Sequence, residues 1–239
     1  MPWRSYAAKQ THAKFASIAV IERVQGFLLK EMVVWQASCS QHIMMGQQMQ
    51  IFLREAGKRF EELDFAMARE VGAQLGLVPD ATAAPADHAP PPALQHLKPA
   101  LAAPDADPLV AALQPLITTA PWTEGEFAMP STFAGRFAFV ELVGPAGLIA
   151  HEQIRFGLYL QSPNTFYPSH MHEAEEIYYV LSGAAEWQRD DDAFAVREPG
   201  TPIHHEPWQR HAMRTDNAPL LAIWAWRGAI ARESYRMLG

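Results

Sequence analysis

The sequence predicts a mainly β protein, with a C-terminal barrel or sandwich of short antiparallel strands behind an α-helical N-terminal extension. Three observations carry this reading. From about residue 133 onward, short alternating runs rich in aromatic and β-branched residues are separated by turn residues, with no helical pattern between them. Before residue 78 the apolar residues recur every three or four positions instead. Between the two, residues 79–108 hold eight of the 19 prolines and ten alanines. The expected organisation is a helical extension over 1–78, a Pro/Ala-rich connector over 79–108 and a β domain over 109–239.

In the extension, Phe15, Ile18, Val20, Val24, Phe27 and Leu28 suggest a first helix with a broad apolar side. Met49, Leu53, Ala56, Phe60, Leu63 and Met67 form one stripe, with Arg54, Glu55, Lys58, Arg59 and Glu62 elsewhere, as helix–helix or dimer packing requires. Gly72, Gly76 and Pro79 are the expected stop signals. The connector reads as irregular and partly extended. At its end, Asp107 and Pro108 suit the N-cap and first turn of a short helix running to Ile117.

In the β domain, 136–143 reads as a strand ending at Gly144-Pro145-Ala146-Gly147. Ile154, Phe156, Leu158 and Leu160 alternate with Arg155, Gly157 and Tyr159, a period of two. Further strands are expected at 176–181, 184–189, 193–196, 211–214 and 220–226. Gly183, Asp190–Asp192 and Pro199-Gly200 punctuate them, and the three aspartates read as an acidic hairpin tip in solvent.

Composition narrows the function. The 239 residues are 49% hydrophobic and 19% charged, ordinary for a packed domain. The net charge of −7 and the lack of a basic run argue against a nucleic-acid partner. A single cysteine, Cys39, forms no intrachain disulfide and suits a reducing compartment. No apolar segment with a cleavage site is seen near the amino terminus, and the uncharged stretch 32–53 carries too many glutamines to span a bilayer. A cytoplasmic protein without a membrane partner is expected.

The chemistry concentrates in one segment. In an extended strand His170 and His172 point to the same side, so two imidazoles two residues apart can bite one metal ion. Glu176, four residues on, can supply a third ligand after a short turn, and Tyr178 shares its parity. A fourth ligand is expected from a neighbouring strand. His211 is preferred to His204 and His205, which lie between Pro202 and Pro207 where an exposed loop is expected. His12, His42, His88, His96 and His151 have no partner at ligand spacing.

His170-x-His172-x3-Glu176-x6-Gly183, followed by Pro199-Gly200 and His211-x3-Thr215, resembles the two cupin motifs. The resemblance implies a double-stranded β-helix, or jelly-roll barrel, holding one divalent metal with three histidines and a glutamate. Asn164 stands where the first motif opens on glycine, and Thr215 where the second ends on asparagine. More narrowly, Tyr167-Pro-x-His170-x-His172-x3-Glu176-x-Tyr178-x-Val180-Leu-x-Gly183 with Trp187 resembles the cupin-type dimethylsulfoniopropionate (DMSP) lyases, the DddL and DddQ branches included. That likeness covers residues 130–230 closely and implies cleavage of DMSP to dimethyl sulfide and acrylate.

The residues suit that chemistry. β-Elimination needs a base for the α-proton and stabilisation of charge on the carboxylate side, and a divalent metal serves the second need. Nitrogen and carboxylate ligands admit zinc, iron, manganese, cobalt or nickel. Tyr178 is the expected base, its pKa lowered by a nearby cation, with Tyr167 second or holding the carboxylate. Trp226, Trp224 and Tyr159 are the expected aromatic walls for the sulfonium. Tyr179, of opposite parity, is expected outside the barrel. The alternatives are a cupin dioxygenase or isomerase acting on another small carboxylate, and a small-molecule sensor. The helical extension either caps the barrel or builds a homodimer.

Overall fold

The computed structural model describes residues 46–79, 89–117, 120–125 and 129–238. The expected helix around Phe15–Leu28, together with His12, His42, His88 and Cys39, lies outside them. Helix α1 spans 46–61 and buries Met49, Phe52, Leu53, Ala56 and Phe60 completely. The stripe packs on a β-sheet: Phe60 and Phe52 meet Phe156 at ring-centroid distances of 5.7 and 6.1 Å, and Phe60 meets Tyr179 at 6.2 Å. Each side chain so buried contributes on the order of 1.5–3 kcal/mol.

The helical pattern breaks at 62–65 and resumes as α2, Ala66–Leu75. Gly72 does not stop it, contrary to expectation. It lies buried inside α2, and a Cβ there would come 2.6 Å from the carbonyl oxygen of Gly57. Its role is the close approach of two helices, and Gly76 is the C-cap.

Residues 92–101 of the Pro/Ala-rich stretch are helical rather than irregular or extended. A 3₁₀ turn, Pro92–His96, leads into α3, Leu97–Leu101, and Ala93, Leu97 and Ala100 join the same buried core. Helix α4 covers Leu109–Ile117. Asp107 caps it as the sequence suggests, its Oδ1 accepting the amide of Leu109 at 2.9 Å. Its Oδ2 accepts from Tyr179 Oη at 2.7 Å and from Arg59 at 2.9 Å, which ties α1 and α4 to the barrel wall. Burial and Asp107 push the Tyr179 hydroxyl up to about 12, so it stays a donor.

Ten strands follow: β1 Phe137–Val143, β2 Ile154–Gln161, β3 Thr165–Met171, β4 Glu175–Ser182, β5 Ala185–Arg189, β6 Ala195–Arg197, β7 Pro202–His205, β8 His211–Thr215, β9 Leu220–Arg227 and β10 Arg236–Met237. They form two five-stranded sheets, β1-β2-β9-β4-β7 and β10-β3-β8-β5-β6, antiparallel throughout. This is the jelly-roll architecture that the sequence predicts. The helices cover the outer face of the first sheet. Residues 154, 156, 158 and 160 therefore face the helices, while Tyr159 turns into the barrel with Tyr178, Trp224 and Trp226.

Residues 202–205 form strand β7 rather than the expected loop. A proline is tolerated because β7 is an edge strand and Pro202 is its first residue. Pairing with β4 sets His205 opposite Glu176.

The two departures from the cupin motifs are accommodated locally. Asn164 adopts φ +50°, the left-handed conformation asparagine tolerates better than most residues, so it serves where glycine is usual. Thr215 ties the same corner, its hydroxyl donating to Ser162 O at 2.6 Å and accepting from Thr165 N at 3.1 Å. Gly183 is irreplaceable at its turn: φ is +72°, and a Cβ would lie 2.0 Å from Pro219 O.

Candidate functional site

The two sheets enclose a pocket lined by Tyr159, Tyr167, Glu176, Tyr178, Trp224 and Trp226, all singled out in the sequence. Glu176 joins this lining to a buried group: ligand atoms of His172, Glu176 and His211 lie within 4.8 Å of one another, all three side chains buried. His172 Nε2 is 3.2 Å and His211 Nε2 is 3.1 Å from the same carboxylate oxygen, Glu176 Oε2. His170 stands beside this group, its ring centroid 4.0 Å from that of His211, but does not belong to the tightest cluster.

Local backbone sets the ring orientations. The Nδ1 atoms of His170, His172 and His211 lie 2.9, 3.0 and 2.9 Å from the carbonyl oxygens of Pro168, Ala174 and Gln209. A carbonyl only accepts, so each Nδ1 carries the hydrogen and each Nε2 of a neutral ring keeps its lone pair. Two such lone pairs facing one carboxylate oxygen repel it unless a proton or a cation lies between them. His211 Nε2, fully buried, makes no hydrogen bond among the described residues. The Nε2 atoms of His172 and His211, each ring held through Nδ1, converge with Glu176 in a set that fits a divalent metal ion.

The carboxylate is oriented from its other side, where Trp226 Nε1 donates to Glu176 Oε1 at 2.6 Å. Burial would raise the Glu176 carboxyl, but the proton that must lie between it and His172 or His211 in the absence of a cation puts positive charge beside it and holds it well below the usual range. Trp226 therefore lines the pocket and also positions a candidate ligand. Replacing it by phenylalanine keeps the wall and deletes the donor. The expected result is about 10- to 100-fold weaker metal binding, read by competition with a chelator; unchanged affinity would refute the positioning role.

Tyr178 packs against Tyr159, Trp187 and His205 at centroid distances of 5.9, 5.8 and 6.2 Å. Burial, then the Glu176 carboxylate, push its hydroxyl well above the ordinary phenol value, the reverse of what a base requires. The Tyr167 hydroxyl lies 2.7 Å from that of Tyr235, and its ring stacks on His170 at 4.1 Å.

The histidines between the prolines separate. His204 turns outward, bonded to Glu175 at 2.8 Å and stacked on Phe65 at 5.1 Å. His205 turns inward and is fully buried, its ring parallel to His211 at 4.0 Å and 11°. Neither of its nitrogens has a hydrogen-bond partner among the described residues. His205 is weighed in the sequence as a ligand but set aside as part of an expected exposed loop, whereas sequence reasoning missed Arg155, Arg232 and Tyr235, which line the pocket. The period of two in β2 already pairs Arg155 with Tyr159, whereas Arg232 and Tyr235 stand in a 3₁₀ turn and its end, without a periodic signal.

The comparisons with known proteins agree with this architecture. DddL of Cereibacter sphaeroides, assigned as a dimethylsulfoniopropionate lyase, is 36% identical over 113 residues, 46% of this chain and 47% of the relative. The dimethylsulfoniopropionate lyase DddQ of Ruegeria pomeroyi is 34% identical over 96 residues, 40% of this chain and 48% of the relative. The chain thus spans about half the length of the curated relatives it matches. A crystal structure described with the DMSP lyases RdDddP and RnDddQII superposes with a TM-score of 0.63 at 27% identity, covering 81% of this chain and 100% of that one. The crystal structure of DddQ from Ruegeria pomeroyi shares the fold, with a TM-score of 0.62 at 24% identity over 80% of this chain and 96% of that one. No helix among the described residues is long and apolar enough to cross a membrane. The dimethylsulfoniopropionate lyase family model matches residues 67–222, a span that includes His170, His172, Glu176, Tyr178 and His211, and the chain belongs to that family.

Proposed function

We propose that the protein is a metal-dependent DMSP lyase that releases dimethyl sulfide and acrylate. The observation that carries this reading is that one pocket joins the His172–Glu176–His211 group to Tyr178 and to the aromatic faces of Trp224, Trp226 and Tyr159. His172, Glu176 and His211, with His170 beside them, hold one divalent ion drawn from zinc, iron, manganese, cobalt or nickel. When bound, that ion supplies Lewis acidity toward a carboxylate and a positive charge close to Tyr178.

The chain's own residues account for the rest. Tyr178, as phenolate, takes the proton from the carbon next to the substrate carboxylate. The electron pair of that C–H bond becomes the new carbon–carbon double bond, and the β carbon–sulfur bond breaks with its pair on sulfur. Dimethyl sulfide leaves, acrylate remains, and the proton passes from Tyr178 to solvent. The sulfonium has no hydrogen-bond donor, so aromatic faces in a desolvated pocket are its natural counterpart. Trp224 is held for this role by donating from Nε1 to Leu158 O at 3.2 Å.

The test is incubation of the metal-loaded protein with DMSP, with headspace dimethyl sulfide and dissolved acrylate quantified together. Equal amounts of both, lost on chelation and restored by added metal, are expected. Oxygen uptake would point to dioxygenase chemistry, and binding without turnover to a sensor.

A further inference from the structure

On the solvent side of the same pocket, two guanidinium groups share a single carboxylate. Glu141 Oε2 accepts from Arg155 Nη1 at 2.7 Å and from Arg232 Nη2 at 2.5 Å. Its second oxygen is occupied by the amide of Ala146 at 3.0 Å, which locks Glu141 to the turn after β1. Two arginines against one glutamate leave one positive charge in surplus. Glu176, the acidic residue in the lining, belongs to the His172–Glu176–His211 group and bonds neither arginine.

The donors are also in surplus. Guanidinium carries five N–H bonds. Arg155, only 7% exposed, uses Nε on Ile230 O at 2.7 Å and Nη1 on Glu141, and its Nη2 finds no protein acceptor among the described residues. Arg232, with a side chain 33% exposed, uses Nη2 on Glu141, and its Nε and Nη1 have none there either. Charge-assisted hydrogen bonds from guanidinium are among the strong ones, so spare N–H groups in the wall of a cavity suit an anionic ligand. The planar fork of arginine matches a carboxylate in particular.

We infer that Arg155 and Arg232 form a carboxylate-binding subsite on the solvent side of the pocket, which captures the acid end of an entering substrate or a departing product. The inference rests on the lyase reading for the identity of that acid, and its chemistry is that of a short-chain carboxylate. Arg155 is the fixed half, clamped between Glu141 and Ile230. Arg232 is the more exposed half, on a 3₁₀ turn with a third of its side chain in solvent. Neither belongs to the His172–Glu176–His211 group, so both act on binding rather than on the bond-breaking step.

The test uses the metal-loaded full chain and two probes, acrylate and its neutral analogue acrylamide, titrated calorimetrically at low and high salt. Arg232→Gln is expected to weaken acrylate binding about tenfold or more and to flatten its salt dependence, leaving acrylamide binding and metal content unchanged. Arg232→Lys, which keeps the charge but not the fork, is expected to retain the salt dependence with intermediate affinity. In turnover, Arg232→Gln should raise the KM for DMSP about tenfold with kcat within twofold. Weaker acrylate binding with KM unchanged would assign the subsite to the product; a loss in both assigns it to substrate and product. Unchanged acrylate affinity and unchanged KM would overturn it. The acrylate titration needs no turnover, so it decides the subsite even if DMSP is not cleaved.

Discussion

Replacing His211 by alanine is expected to remove stoichiometric divalent metal from the purified protein and to lower DMSP turnover at least 100-fold. His211 Nε2 is fully buried, 3.1 Å from Glu176 Oε2, with its ring fixed through Nδ1 on the Gln209 carbonyl. Losing it leaves His172 and Glu176 in the tight group, too few ligands to hold an ion against water. Glu176 also loses one of the two buried rings packed against its carboxylate, so stability should fall. His211→Gln keeps most of the volume beside His205 and separates the loss of ligation from the loss of packing. Metal content after dialysis is the direct reading. A thermal melt is the second: added metal should raise the melting temperature of the unsubstituted protein and leave the variants unmoved. One metal per chain in both His211→Ala and His172→Ala would sink the ligand set.

Tyr178→Phe is expected to cut kcat by about 10²- to 10⁴-fold, the usual contribution of general base catalysis, with metal content unchanged. The substitution deletes one hydroxyl and keeps the ring among Tyr159, Trp187 and His205. The protein's own groups push the Tyr178 hydroxyl upward, burial first and Glu176 next. A positive charge at the neighbouring ligand group is therefore what a working base requires, and metal removal should abolish the activity that Tyr178 supports. Tyr167 offers the internal contrast: its hydroxyl is engaged by Tyr235 at 2.7 Å, so Tyr167→Phe should act more on substrate binding than on kcat. Full turnover in Tyr178→Phe with a severe loss in Tyr167→Phe would reverse the two roles.

Tyr178 and three of the candidate ligands are visible in the sequence for a local reason, whereas His211 comes from β8. His170, His172, Glu176 and Tyr178 lie within nine residues on β3, β4 and the turn joining them, where the two-residue period alone decides which side chains share a face. The same argument places Tyr179 on the opposite face, where it meets Phe60 and Asp107. Asp107 as a helix cap and the stripe of α1 are equally local, because capping and amphipathicity are set within a few residues.

Periodicity, turn positions and the cluster of metal-ligating residue types are therefore legible residue by residue along the chain. Tertiary structure alone decided which face of each strand became the barrel lumen and which became the seat for α1, since alternation marks two faces without naming them. It alone made an edge strand of residues 202–205, turning His205 inward against His211 and His204 outward to Glu175. It also made residues 92–101 of the Pro/Ala-rich stretch helical, because Ala93, Leu97 and Ala100 have an apolar sheet to cover. Arg232 and Glu141, 91 residues apart, meet only when the barrel closes. No local pattern encodes such a pairing: it depends on the strand order of the sheets, and that order is fixed by burying both faces of a sheet at once.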